Sequence, residues 1–114
     1  MLKITFINPY YKNIWEPLNY GYMCSYLCNE YSGDLLIRVL YEKYDEYADI
    51  YNAMIDSDIL AIGCTSPTLK KGIEFCERAK LLNPRIKTIL GGWAVTSQPR
   101  TIKDVDCIVE HILV

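Results

Sequence analysis

Asp58-Ile59-Leu60-Ala61-Ile62-Gly63-Cys64-Thr65-Ser66-Pro67-Thr68, continuing through Leu69 to Asn83-Pro84, carries the clearest structural signal in the chain. Ile59 to Ile62 is a short continuous apolar run, the mark of a strand buried on both faces. A small hydroxylated loop follows. Then Leu69, Ile73, Cys76, Ala79 and Leu82 recur at helical spacing over residues 67 to 82. Ser66 reads as the N-cap, Pro67 suits the first helical turn, and Asn83-Pro84 stops the helix. Strand, loop and helix in that order make one half of a parallel crossover unit.

The same unit repeats outward in both directions. Ile4 to Ile7, Leu35 to Leu40, Ile86 to Leu90 and Cys107 to Val109 are similar apolar runs, and residues 18 to 31 and 45 to 56 read as helices between them. Regular alternation predicts parallel strands joined by right-handed crossovers, with helices on both faces. The expected fold is therefore α/β: a doubly wound, flavodoxin-like (Rossmann-like) parallel sheet of five strands in the order 2-1-3-4-5. A short helix around Gln98 to Lys103 would link the fourth and fifth strands. Only Glu110-His111-Ile112-Leu113-Val114 follow that strand, too few for the usual closing helix. The expectation is a single domain over 1–114, a module of a longer chain or one whose uncovered apolar sheet face meets a partner, for example in a homodimer.

Composition fits one globular domain. With 114 residues, 51% hydrophobic and 23% charged, the chain has material for one core and not two. Net charge is −2 and no like charges cluster, which argues against nucleic acid as a partner. No cationic leader or long apolar span is present, so neither secretion nor membrane insertion is expected. The five cysteines, Cys24, Cys28, Cys64, Cys76 and Cys107, fall mostly in apolar runs, as buried free thiols of a reducing, cytoplasmic compartment do. Cys24-x-x-x-Cys28 has no further Cys or His nearby to complete a tetrahedral metal site.

In an open parallel sheet, ligands bind beyond the carboxyl ends of the strands. Three loops lie there. The first, Asn8 to Pro17, has neither the G-x-G-x-x-G nor the Walker pattern, nor the hydroxyl-rich cradle that FMN needs. Asn8 and Gly63-Cys64 stand where a phosphoacceptor domain would need acidic residues. The second, Cys64 to Thr68, offers hydroxyls and helix N-terminal amides to an anionic or amide-bearing ligand tail, or serves as a simple helix cap. The third opens with Gly91-Gly92, which either admits a bulky planar group to the main chain or makes a turn. On the first helix Gly21, Cys24, Ser25 and Cys28 recur at i, i+3, i+4 and i+7, a stripe of small residues. It reads as one wall of a trench against the sheet or as close helix packing. Lys70, Lys71, Glu74, Glu77 and Arg78 read as a solvated helix face.

Taken in order, Ile7-Asn8-Pro9, Pro17 to Tyr22 through Tyr26-Leu27, Asp58 to Thr65, Asn83-Pro84, Ile89 to Gly92 with Thr96, and Asp106 to Val109 resemble the N-terminal cobalamin-binding domain of cobalamin-dependent radical S-adenosylmethionine (radical SAM) enzymes. The resemblance spans nearly the whole chain. It implies a corrinoid held base-off, with its benzimidazole tail between sheet and helices. Binding roles then fall to Cys64, Thr65, Ser66, Thr68, Gly91, Gly92 and Trp93, with Gly21 and Ser25 along the trench and Tyr10, Tyr11 and Trp15 facing the lower side of cobalt. The D-x-H-x-x-G motif that supplies a histidine ligand in related domains is absent, and the only histidine, His111, follows the last strand. A histidine-free corrinoid is thus implied, with methyl transfer or related chemistry performed by a radical SAM domain. That domain's C-x-x-x-C-x-x-C motif is absent, so no iron-sulfur cluster or catalytic residue is expected in this chain. The alternatives are a cofactor-free flavodoxin-like interaction domain and a small enzyme or sensor for another nucleotide-like ligand.

Overall fold

A computed structural model of the chain describes residues 1–10, 18–64, 68–91 and 107–108. The architecture is α/β, with a parallel sheet and three helices. In chain order the elements are β1 (Leu2–Asn8), α1 (Leu18–Glu30), β2 (Leu35–Tyr41), α2 (Tyr47–Ile55), β3 (Ile59–Gly63), α3 (Leu69–Leu82) and β4 (Lys87–Gly91), with the two-residue β5 (Cys107–Ile108). β1 runs parallel between β2 and β3; β4 pairs with the other side of β3, and Cys107 and Ile108 register with Ile89 and Leu90.

Alternation along the strands sorts their side chains onto two faces. One face carries Ile7, Leu60, Ile62 and Leu90, packed with Ile50 and Met54 of α2 and with Phe75, Cys76 and Ala79 of α3. The other carries Ile4 and Phe6, packed with Cys24 and Leu27 of α1 and with Ile37, Val39, Ile59 and Ala61. Helices therefore lie on both sides, as the alternating pattern requires. Burial on both faces holds best for β1. β3 alternates between half-buried and buried positions, and all seven residues of the edge strand β2 are half-buried.

α3 is described from Leu69, with Thr68 before it in the N-cap position, and the Thr68 side chain does not cap the helix. Its hydroxyl bonds Cys64 instead. Ser66 and Pro67 lie outside the described residues. At the far end the expected stop holds: α3 ends at Leu82, with Asn83 as C-cap.

Two buried hydroxyls pin α2 to the sheet. Thr5 Oγ1 and Ser57 Oγ lie 2.6 Å apart, and Ser57 donates to the Ala53 carbonyl, so neither β-face polar group is left unpaired. At the amino edge Asp56 receives Lys3 Nζ at 2.8 Å and Arg38 Nη2 at 2.6 Å, tying the α2–β3 turn to β1 and β2. These bonds, that from Lys3 first and from Arg38 second, hold the Asp56 carboxyl below the ordinary aspartate range. The lowered pKa means that ionised Asp56 favours the folded state. Its contribution is present above about pH 4, the unfolded value, and is lost as pH falls through the folded value. Asp56→Asn is expected to flatten the acid limb of a stability–pH curve measured by urea melts. An acid limb as steep as that of the wild type would assign that slope to other carboxylates.

Among the described residues no helix is long and apolar enough to cross a membrane.

Candidate functional site at the carboxyl edge

Because the strands are parallel, Asn8, Tyr41, Gly63 and Gly91 all leave the sheet at one edge. The chain passes from β1 by way of α1 to β2 on one side, then crosses by way of α2 to β3 on the other. Connections therefore diverge between β1 and β3, where a parallel sheet opens a crevice.

Along β3 and β4, side chains on the α1 side of the sheet shrink towards that edge. Register places Ile4, Ile59 and Lys87 in one row and Phe6, Ala61 and Ile89 in the next. One step further the row holds Gly63 paired with Gly91, with no side chain from either strand. Gly63 was not among the residues singled out from sequence. Its signal was there, since a strand-ending glycine in register with another glycine empties two neighbouring positions at once.

The α3 side is filled. Cys64 is 2% exposed, and its amide donates to the Gly91 carbonyl at 2.7 Å. Its sulfur lies over Gly72, close enough that a Cβ there would approach Sγ to 2.2 Å. Burial pushes the Cys64 thiol up to about 12, with the Thr68 hydrogen bond pulling weakly the other way, so the thiol stays neutral. Thr68 is 5% exposed. The sequence reading placed both along a ligand slot; the structure packs both into the core between β3, β4 and α3. The reason is the local direction of the chain. Cys64 follows Gly63 on the opposite face, so whatever room the glycine leaves lies on the α1 side and the sulfur points away from it.

The stripe on α1 is likewise turned. Cys24 and Leu27 face the sheet, whereas Ser25 and Cys28 are exposed. At 100° per residue the centre of the Gly21, Cys24, Ser25, Cys28 stripe sits roughly 80° away from the Cys24–Leu27 direction. Cys24 thus marks the edge of the stripe that meets the sheet, while Ser25 and Cys28 lie along the outer flank of the helix.

Tyr10, just past β1, is partly exposed and closely held. Its amide donates to Glu42 Oε1 at 2.6 Å, while Lys71 Nζ donates to its carbonyl at 3.1 Å and stands 5.6 Å from its ring centre. Tyr47 donates its hydroxyl to Glu42 Oε2 at 2.8 Å, which raises the Tyr47 pKa. Lys71 is thus engaged with the sheet edge and does not simply project from a solvated face. Beside this cluster a cleft of about 510 Å³ runs between α2 and α3, walled by Tyr47, Tyr51, Phe75 and Arg78. Glu42, Tyr47 and Lys71 escaped sequence reading because Tyr41-Glu42-Lys43-Tyr44-Asp45-Glu46 has the composition of an ordinary polar turn.

Tyr11, Trp15, Thr65, Ser66, Gly92, Trp93 and His111 lie outside the described residues. Among the described residues no three His, Cys, Asp or Glu side chains gather to hold a metal ion. Comparison with protein-family models and with curated proteins finds no match to this chain.

Proposed function

We propose that the chain is a flavodoxin-like, cobalamin-binding module whose complete sheet is five-stranded in the order 2-1-3-4-5. One observation carries this reading: Gly63 and Gly91 stand in register at the ends of β3 and β4, so neither strand contributes a side chain at the edge where the connections diverge. A flat benzimidazole nucleotide would need such a floor, where the strands it lies against carry no side chain. Gly63 and Gly91 would form the floor, Gly21 and Ser25 the flank, and Tyr10 the rim near the corrin. Cys64 and Thr68 would support the floor from behind without touching the ligand. Bound corrinoid supplies a cobalt centre for methyl transfer or a related reaction, which another domain of radical SAM type would carry out.

The test is direct. Protein mixed with hydroxocobalamin and desalted is expected to keep the visible corrinoid spectrum, and Gly63→Leu is expected to cut retention at least about tenfold by filling the floor, with far-ultraviolet circular dichroism unchanged. A colourless wild-type protein would overturn the proposal. If it also eluted as a dimer, the cofactor-free reading would gain, with the half-buried Ile59, Ala61 and Ile89 on the α1 side as the shared face.

A further inference from the structure

Pro9 has no backbone N–H, so it interrupts the hydrogen-bond ladder one residue past the end of β1. Glu42 spans the interruption. Its amide donates to the Asn8 carbonyl at 3.0 Å, the last backbone rung, and its carboxylate then accepts the Tyr10 amide at 2.6 Å, a side-chain rung beyond the proline. The same carboxylate takes the Tyr47 hydroxyl at 2.8 Å and Lys71 Nζ at 3.3 Å. Its side chain is 8% exposed, so donors from β1, α2 and α3 converge on a carboxylate that has largely given up water. Lys71 closes the ring by donating to the Tyr10 carbonyl.

We propose that Glu42 is a positioning residue which, with Lys71, fixes Tyr10 and hence the direction in which the chain leaves β1 at the ligand edge. This rests on the corrinoid reading for the identity of the ligand, but its geometry concerns the chain alone. A four-partner anchor of this kind exceeds what a surface turn needs. A single acceptor would satisfy the Tyr10 amide, whereas Glu42 also recruits a cation that grips the Tyr10 carbonyl and ring. Both main-chain polar groups of one residue are thereby held by side chains from two other elements.

Amide hydrogen exchange is the deciding measurement, with the core amide of Leu60 as internal reference. In Glu42→Ala the Tyr10 amide is expected to exchange at least about tenfold faster than in wild type while Leu60 stays unchanged. Glu42→Gln, which keeps an acceptor for the same amide, is expected to restore most of the protection, and Lys71→Met to fall between. Unchanged Tyr10 exchange in Glu42→Ala overturns the proposal, as does equal acceleration at Tyr10 and Leu60, which would make Glu42 a general stabiliser. Hydroxocobalamin retention adds a second arm. A loss of about tenfold in Glu42→Ala that Glu42→Gln largely restores supports positioning; equal retention in all variants with Tyr10 released overturns it. A wild-type protein that retains no corrinoid counts against the ligand reading alone, and the exchange data then decide the role of Glu42.

Discussion

Gly72→Ala is expected to destabilise the domain by about 2 kcal/mol, against the usual direction for a glycine replaced inside a helix. An exposed helical glycine gains about 1 kcal/mol on becoming alanine. At position 72 that gain is outweighed, because the new Cβ would stand 2.2 Å from Cys64 Sγ and 3.3 Å from Leu90 Cδ1. Cys64 has little freedom to retreat, being 2% exposed and set between β3 and α3, while Leu90 is fully buried. Overpacking of this kind typically costs about 1–3 kcal/mol, and the severity of the overlap puts it at the upper end. Gly72→Val, which adds two methyls beyond the alanine Cβ, is expected to lose about 4 kcal/mol or to prevent folding. The decisive comparison is the double variant Cys64→Ala/Gly72→Ala. Removing the sulfur makes room for the methyl, so urea midpoints are expected to show the pair less destabilised than Gly72→Ala alone, with a coupling of at least about 1 kcal/mol. Strict additivity would mean that the sulfur and the helix do not interlock.

The second large effect is expected at Asn83. Its side-chain amide donates to the carbonyls of Met54 at 3.1 Å, Ile55 at 3.3 Å and Ser57 at 3.0 Å. Met54 and Ile55 close α2, where carbonyls have no partner within the helix, so Asn83 supplies from α3 the cap that α2 lacks in its own sequence. Asn83→Ala leaves those oxygens to water where water can reach, at a cost of about 1–2 kcal/mol. Asn83→Asp is expected to be worse, by about 3 kcal/mol relative to wild type at neutral pH. A carboxylate offers no donor, faces three carbonyl oxygens and sits at the negative end of α2. The sign with pH follows. The introduced acid is destabilising while ionised, so its deficit is full at neutral pH and shrinks as acid protonates it and restores one donor. Urea melts of wild type and variant in parallel, from neutral to mildly acidic pH, separate this from the opposite trend at Asp56. Asn83→Asp matching Asn83→Ala at every pH would refute the three-carbonyl role.

How much of this was legible beforehand differs by scale. The α/β class and the parallel strands follow from the spacing of short apolar runs, and Asn83-Pro84 marks the end of α3 because proline and its neighbour leave few choices. The role of Thr68 was not legible, because beside the start of α3 it gives its hydroxyl to Cys64 and does not cap the helix. Face assignment was the larger loss. Cys64 and Gly63 are adjacent in sequence but serve opposite sides of the sheet, so a loop read as one small-residue unit divides into a half filled by the Cys64 sulfur and a half where Gly63 supplies no side chain. The α1 stripe was legible only as a face, because small residues at helical spacing identify a face without saying what it meets. Glu42 lay beyond reach altogether, since its importance comes from Tyr10, Tyr47 and Lys71, which are far apart in the chain and brought together by the fold.

The interlock of Cys64 with Gly72 also has a bearing on how such a chain changes over generations. Position 72 is barred from acquiring any side chain while position 64 keeps its sulfur, and position 64 has no space to grow while α3 lies this close. The two sites behave as a single locus. Growth at position 72 must be preceded by a loss of volume at position 64, so descendants are expected to carry a small residue on at least one of the two elements, and a bulky residue at both would signal that α3 has moved off the sheet.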